Sequence, residues 1–118
     1  MSPMTAARPP FDESIVLQLA LGDRALARRY LNTFVAMLPK YRSALLAAYE
    51  SGDFAGLRDH AHQLAGAAAY CGALALNDAA KALDRAPDLE QRQDAATLVT
   101  GTLERIDEFL QLGLEHFD

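Results

Sequence analysis

Tryptophan is missing from this chain of 118 residues, and cysteine occurs once, at Cys71. One thiol forms no internal disulfide and leaves too few thiols for a cysteine-based zinc site, which points to a reducing compartment. No run of 18 apolar residues occurs, and the opening residues 1–10 lack the basic-then-apolar order of a signal peptide. The expected location is cytoplasmic, without direct membrane contact. Positive charge is scarce as well: 11 Lys and Arg stand against 16 Asp and Glu, for a net charge of −5, and no basic cluster exceeds Arg28-Arg29. That balance argues against nucleic acid or an anionic membrane as the main partner and for protein. Strand signals are nearly absent too, since valine is rare and no six-residue stretch alternates apolar with polar.

What remains is rich in Ala, Leu, Arg, Glu and Gln, a helix-forming composition, and 51% of residues are hydrophobic. The length suits one domain, and the chain is expected to be all-α and to act as a monomer. Residues 1–10, small, polar or Pro, read as a disordered leader or linker. From the N-cap Asp12, the residues Ile15, Val16, Leu19 and Ala20 share one side of a short helix that Gly22 stops. Asp23 caps the next helix, with Leu26, Tyr30, Phe34, Val35 and Leu38 at helical spacing. Pro39 is expected to kink or break it, and Tyr41, Leu45, Leu46 and Tyr49 continue the stripe to Ser51-Gly52. Asp53 caps a third segment whose seam is Leu57, Ala61, Leu64, Ala68 and Cys71. Gly72 ends it; residues 73–86 carry Leu76, Ala79, Ala80 and Leu83 up to Pro87. Asp88 is expected to cap a last helix with a core face of Ala95, Leu98, Val99, Leu103, Ile106 and Leu110. Short loops between long helices predict an up-down antiparallel four-helix bundle over residues 11–112, the short first helix packed across one end and residues 113–118 a frayed tail.

At about 100° per residue, His62 points away from the seam of its helix. Ala55, Arg58, Asp59, Ala65, Gly66 and Ala69 share its face, so the side chains downstream of it are no larger than a methyl group. Gly66 costs about 1 kcal/mol of helix stability relative to Ala. A flat surface around an exposed imidazole suits a nucleophile that another macromolecule's active site must reach. The bland alternative is an ordinary surface histidine on an Ala-rich helix.

The stretch Ala61-His62-Gln63-Leu64-Ala65-Gly66-Ala67-Ala68, followed by Cys71-Gly72-Ala73 and Leu76, resembles the signature of histidine-containing phosphotransfer (Hpt) domains, His-x-Leu-Lys-Gly-Ser/Ala followed by Gly-Ala at a helix turn. The likeness extends through Phe34 to Pro39 and the Ser51-Gly52-Asp53 turn, covering about residues 11–112. The Tyr70-Cys71-Gly72 run is similar to the C-terminal phosphotransfer domains of bacterial tripartite hybrid sensor kinases. The resemblance implies a phosphoryl carrier, neither kinase nor ATPase. His62 would accept the group from a receiver-domain aspartate and pass it to another, and Ala55, Ala65, Gly66 and Ala69 would form the docking face. It implies no cofactor of the chain's own, with Mg²⁺ belonging to the receiver, and the absence of a Gly-x-x-x-x-Gly-Lys pattern agrees. The departure is Ala65, where many members carry Lys. Arg58, one turn before His62, is the best-placed substitute cation on helical geometry. Gln63 either hydrogen-bonds near the ring or is a solvated rim residue.

Other chemistries find less support. His60 and His62 lie about 200° apart on a helix, which defeats joint metal coordination. His60 is expected to be a partly buried structural histidine, and Cys71 a small packing residue. Asp78, Asp84, Asp88 and Asp94 read as caps and solvated faces, and no hydrolase motif occurs. The rival reading from another class is a helical adaptor that binds a sensor kinase or response regulator without carrying phosphate.

Overall fold

In the computed structural model, which describes residues 8–91 and 93–112, five α-helices and one 3₁₀ turn account for the regular structure: α1 (Glu13–Leu19), α2 (Arg24–Ser51), α3 (Phe54–Tyr70), α4 (Leu74–Arg85), the turn Leu89–Gln91, and α5 (Ala95–Leu112). There is no strand among the described residues. The first seven residues of the expected leader, and the expected frayed tail 113–118, lie outside them. Three helices start where a capping aspartate was expected. Asp12 accepts from the Ser14 N–H, Asp23 from Leu26 and Asp53 from Gly56, each satisfying a first-turn donor that has no intrahelical partner.

Pro39 neither breaks nor ends α2, which runs 28 residues as a single helix. A proline inside a helix costs about 3 kcal/mol, from the lost backbone hydrogen bond together with the clash of its ring with the preceding turn. The core offsets it: Leu31, Phe34 and Leu38 before the proline and Leu45 and Ala48 after it are all buried, and each buried leucine contributes roughly 1.5–3 kcal/mol. The buried stripe begins at Ala27 and Leu31 rather than at Leu26 and Tyr30; Tyr30 is exposed. The α3 seam Leu57, Ala61, Leu64, Ala68 and Cys71 is buried throughout.

The fourth helix matches the expected 73–86 segment, with Leu76, Ala80 and Leu83 buried, whereas the fifth departs further from expectation. Asp88 does not cap α5. It takes a left-handed φ of 48° ahead of the 3₁₀ turn, its carbonyl accepting from Gln91, and α5 begins only at Ala95. The buried face of α5 is Ala95, Val99, Thr102, Ile106 and Phe109, with Leu98, Leu103 and Leu110 only half-buried beside it. Phe109 supplies the reason, because it stacks edge-on against Phe34 at 5.3 Å and Phe11 at 5.8 Å, and such aromatic pairs favour that geometry.

α3 packs most extensively on α4; α2 packs on α3, α4 on α5 and α2 on α5, while α1 lies against α2 and α3. The α4 N-terminus has no side-chain cap. Its orphan donor at Ala75 goes to the Pro9 carbonyl, and Arg8 pairs with Asp78 at 2.6 Å and reaches the Asn77 amide oxygen at 3.0 Å. Residues 8 and 9, placed by the sequence in the leader, are thus bonded to α4. Beside them the Asp12 N–H donates to the Gly72 carbonyl. A Cβ at position 72 would collide with the Asp12 carbonyl, and φ there is +75°, so glycine is required twice over.

Candidate functional site

The α3–α4 pairing builds the site. Asn77, buried on α4, donates its amide to the Ala65 carbonyl of α3 at 2.7 Å, and seven residues further along α4 the Asp84 carboxylate meets His62 Nδ1 at 2.9 Å. The two contacts fix α4 antiparallel to α3 and in register with it. The His62 side chain is 76% exposed, whereas that of Asp84 is only 23% exposed. An ionised carboxylate is an acceptor only, so Nδ1 carries the hydrogen. In the neutral ring Nε2 is then the nitrogen with a free lone pair.

Around His62 runs an open cleft of about 340 Å³ lined by Ala65, Gly66 and Ala69 of α3 and by Asn77, Lys81, Asp84 and Arg85 of α4. The small α3 residues give it a low wall. A Cβ added at Gly66 would meet nothing within 4 Å, so packing inside this chain does not require glycine there. Ala55, Gly66 and Ala69 are exposed as expected, but Ala65 is buried, at 6% exposure. The α4 helix covers it through Asn77, and it forms cleft lining rather than open docking surface.

Arg58 does not face the cleft as a free cation. Its guanidinium donates to the Asp84 carbonyl at 2.7 Å and to the Ala86 carbonyl, which caps the C-terminal end of α4 where carbonyls lack intrahelical partners. Gln63 also turns away from the ring. Its amide reaches Asp59 at 3.3 Å, and it borders a separate, smaller groove with Met37, Lys40, Tyr41, Ala44 and His60. His60 is half-buried, as its position on the helix predicted. Burial pushes the Cys71 thiol up to about 11, so it stays protonated at neutral pH and serves as packing.

Asp84, the carboxylate that meets the imidazole, is the cleft residue that sequence reasoning passed over, having read it as a cap or solvated face. Only its place in the 77, 81, 84, 85 cluster of α4 hinted at a shared face, and which face meets α3 depends on packing. Lys81 and Arg85 were missed for the same reason. Among the described residues no group of three or more potential metal ligands occurs, and no helix is long and apolar enough to cross a membrane.

A family model described as the Hpt domain matches residues 29–111. Among solved structures, the chain is similar to the crystal structure of histidine-containing phosphotransfer protein B (HptB) from Pseudomonas aeruginosa PAO1. The two share 24% sequence identity over 90% of this chain and 92% of that one, with a TM-score of 0.77, a likeness of fold. No curated protein matches the sequence.

Proposed function

Because the chain belongs to the Hpt domain family, we propose that His62 is its phosphoacceptor, taking a phosphoryl group from a receiver-domain aspartyl phosphate and passing it to the aspartate of another receiver. The observation that carries this reading is the exposed imidazole with Nδ1 held by Asp84. The Nε2 lone pair attacks phosphorus in line, a P–N bond forms, and the P–O bond to the receiver's aspartate breaks with its electron pair returning to the carboxylate. Nε2 bears no hydrogen, so no proton has to leave. The positive charge that develops on the phosphorylated ring faces the Asp84 carboxylate across the Nδ1–H. Transfer onward is the reverse reaction with a second receiver.

Such chemistry asks for positioning and charge neutralisation rather than a reactive group beyond the imidazole. The divalent cation belongs to the receiver in this reading, and the chain contributes no kinase or ATPase step. The helices that contact one another in a ring, α2 to α5, are read as an up-down antiparallel bundle that presents α3 to a receiver, with the chain working as a cytoplasmic monomer. Ala55, Gly66 and Ala69 let the receiver's loops approach Nε2.

The test is incubation with receivers pre-phosphorylated by a small acyl phosphate, comparing wild type with His62→Gln. Wild type is expected to gain an acid-labile, base-stable label and the variant none. Label retained by the variant would mean that a different residue accepts the group. An unlabelled wild type whose receiver binding survives His62→Gln would instead support the adaptor reading.

A further inference from the structure

Phosphorylating His62 places close to two negative charges on a ring already hydrogen-bonded to a carboxylate, in a chain of net charge −5. Without nearby cations the product and the transition state leading to it would be repelled by Asp84. α3 offers none at the cleft. Position 65 is alanine, and Arg58 is committed to the Asp84 and Ala86 carbonyls. The Asn77 amide is spent as well, donating to Ala65 and accepting from Arg8.

Two cleft-lining donors remain, both on α4. Asn77, Lys81 and Arg85 recur every four residues and so form one row along the helix, and all three line the cleft with His62. Lys81 falls between the residue that bonds Ala65 and the residue that bonds His62, which sets it level with the α3 stretch from His62 to Ala65. Among the described residues no ion pair holds either Lys81 or Arg85. Both are free to turn toward an arriving anion.

We propose that Lys81, assisted by Arg85, forms a cationic wall on α4 that contacts the phosphoryl oxygens on His62, so that α4 supplies the charge which α3 lacks at Ala65. The proposal rests on the phosphotransfer reading. It makes Lys81 a catalytic residue, since it touches the transferring group, and it explains why Asp84 can sit against the ring without preventing a dianion from forming beside it. Preorganised charge of this kind acts mainly on the transition state.

The experiment measures phosphorylation rates of wild type, Lys81→Ala, Lys81→Ala/Arg85→Ala and Lys81→Arg with two donors, a phosphorylated receiver and phosphoramidate, a small donor that needs no docking. Circular dichroism confirms folding, and the ³¹P chemical shift of the phosphohistidine reports the group's surroundings. The double variant is expected to react about tenfold more slowly with both donors and to show a displaced ³¹P resonance, with Lys81→Arg recovering most of the rate. A folded double variant with wild-type rates and an unmoved resonance overturns the proposal. So does slowing confined to the receiver, which would make the wall a docking contact only. A wild type labelled by neither donor fails the phosphotransfer reading itself and removes this proposal with it.

Discussion

At the scale of single residues, the site depends on how a carboxylate and an imidazole divide one hydrogen. Asp84 accepts from Nδ1, which selects the tautomer and holds the ring plane while most of the side chain projects into solvent. In the transfer proposed above Asp84 acts as a positioning residue, and removing it should slow transfer without abolishing it. A hydrogen bond to a charged group contributes about 1.5–3 kcal/mol, so Asp84→Ala is expected to lower the transfer rate by about tenfold or more. Asp84→Asn should fall between, because its amide oxygen still accepts from Nδ1. Imidazole ¹⁵N shifts give an independent measure: the alanine variant should show a mixed tautomer population where wild type shows Nδ1–H. Unchanged rates and shifts in the alanine variant would show that the contact has no part in transfer. Arg58 teaches the complementary lesson, since a cation well placed on its own helix was claimed by carbonyls of the next one.

At the scale of one helix, α3 carries a glycine that its own packing does not need. Gly66 has open space where a Cβ would go, and so does Gly101 on α5. Glycine inside a helix costs roughly 0.5–1 kcal/mol against alanine. Gly66→Ala and Gly101→Ala are both expected to raise the urea midpoint by an equivalent amount. Their effects on transfer should differ: Gly66→Leu should block transfer from a receiver while leaving helicity intact, whereas Gly101→Leu should leave transfer unaffected. Equal transfer in both leucine variants would exclude the Gly66 face as the docking surface. The α3 seam was legible from spacing alone, because four- and three-residue steps define a stripe whatever it packs against. On α5 the spacing found Ala95, Val99 and Ile106 but not Phe109, whose contacts with Phe34 and Phe11 turn the buried face so that Leu98, Leu103 and Leu110 pack at its half-buried edge.

Over the whole molecule, long-range ties join the helices outside the core. Arg42 of α2 grips Asp107 of α5 through two hydrogen bonds of 2.9 and 3.0 Å, and this holds the Asp107 carboxyl below the usual carboxylate range. A lowered carboxyl pKa means that the unfolded chain binds more protons in the acidic window. The tie's contribution is thus fully present above the ordinary carboxylate pKa and disappears as pH falls through the depressed one. Both side chains are about two-fifths exposed, so the effect is modest. Wild type should exceed Asp107→Asn in urea midpoint at pH 6, and the gap should close as the pH is lowered through and beyond the ordinary carboxylate range. A gap that persists undiminished into acid would show that the pair acts through packing rather than charge.

The sequence by itself determined the helical class, three of the capping aspartates, the α3 seam and the outward direction of His62. Each of these follows from local geometry: a 3.6-residue repeat, a side chain reaching a donor two or three residues ahead, and the angle between one residue and its neighbours on the same helix. Tertiary structure decided the rest. It kept α2 continuous through Pro39, buried Ala65 under Asn77, diverted Arg58 to the end of α4, and brought Asp84, Lys81 and Arg85 to the imidazole from 19 to 23 positions further along the chain. The physical reason is that periodicity fixes which residues share a face of one helix, while the rotation and register of one helix against another come from the summed packing of their cores. A two-helix site such as His62 with Asp84 exists only once that register is set.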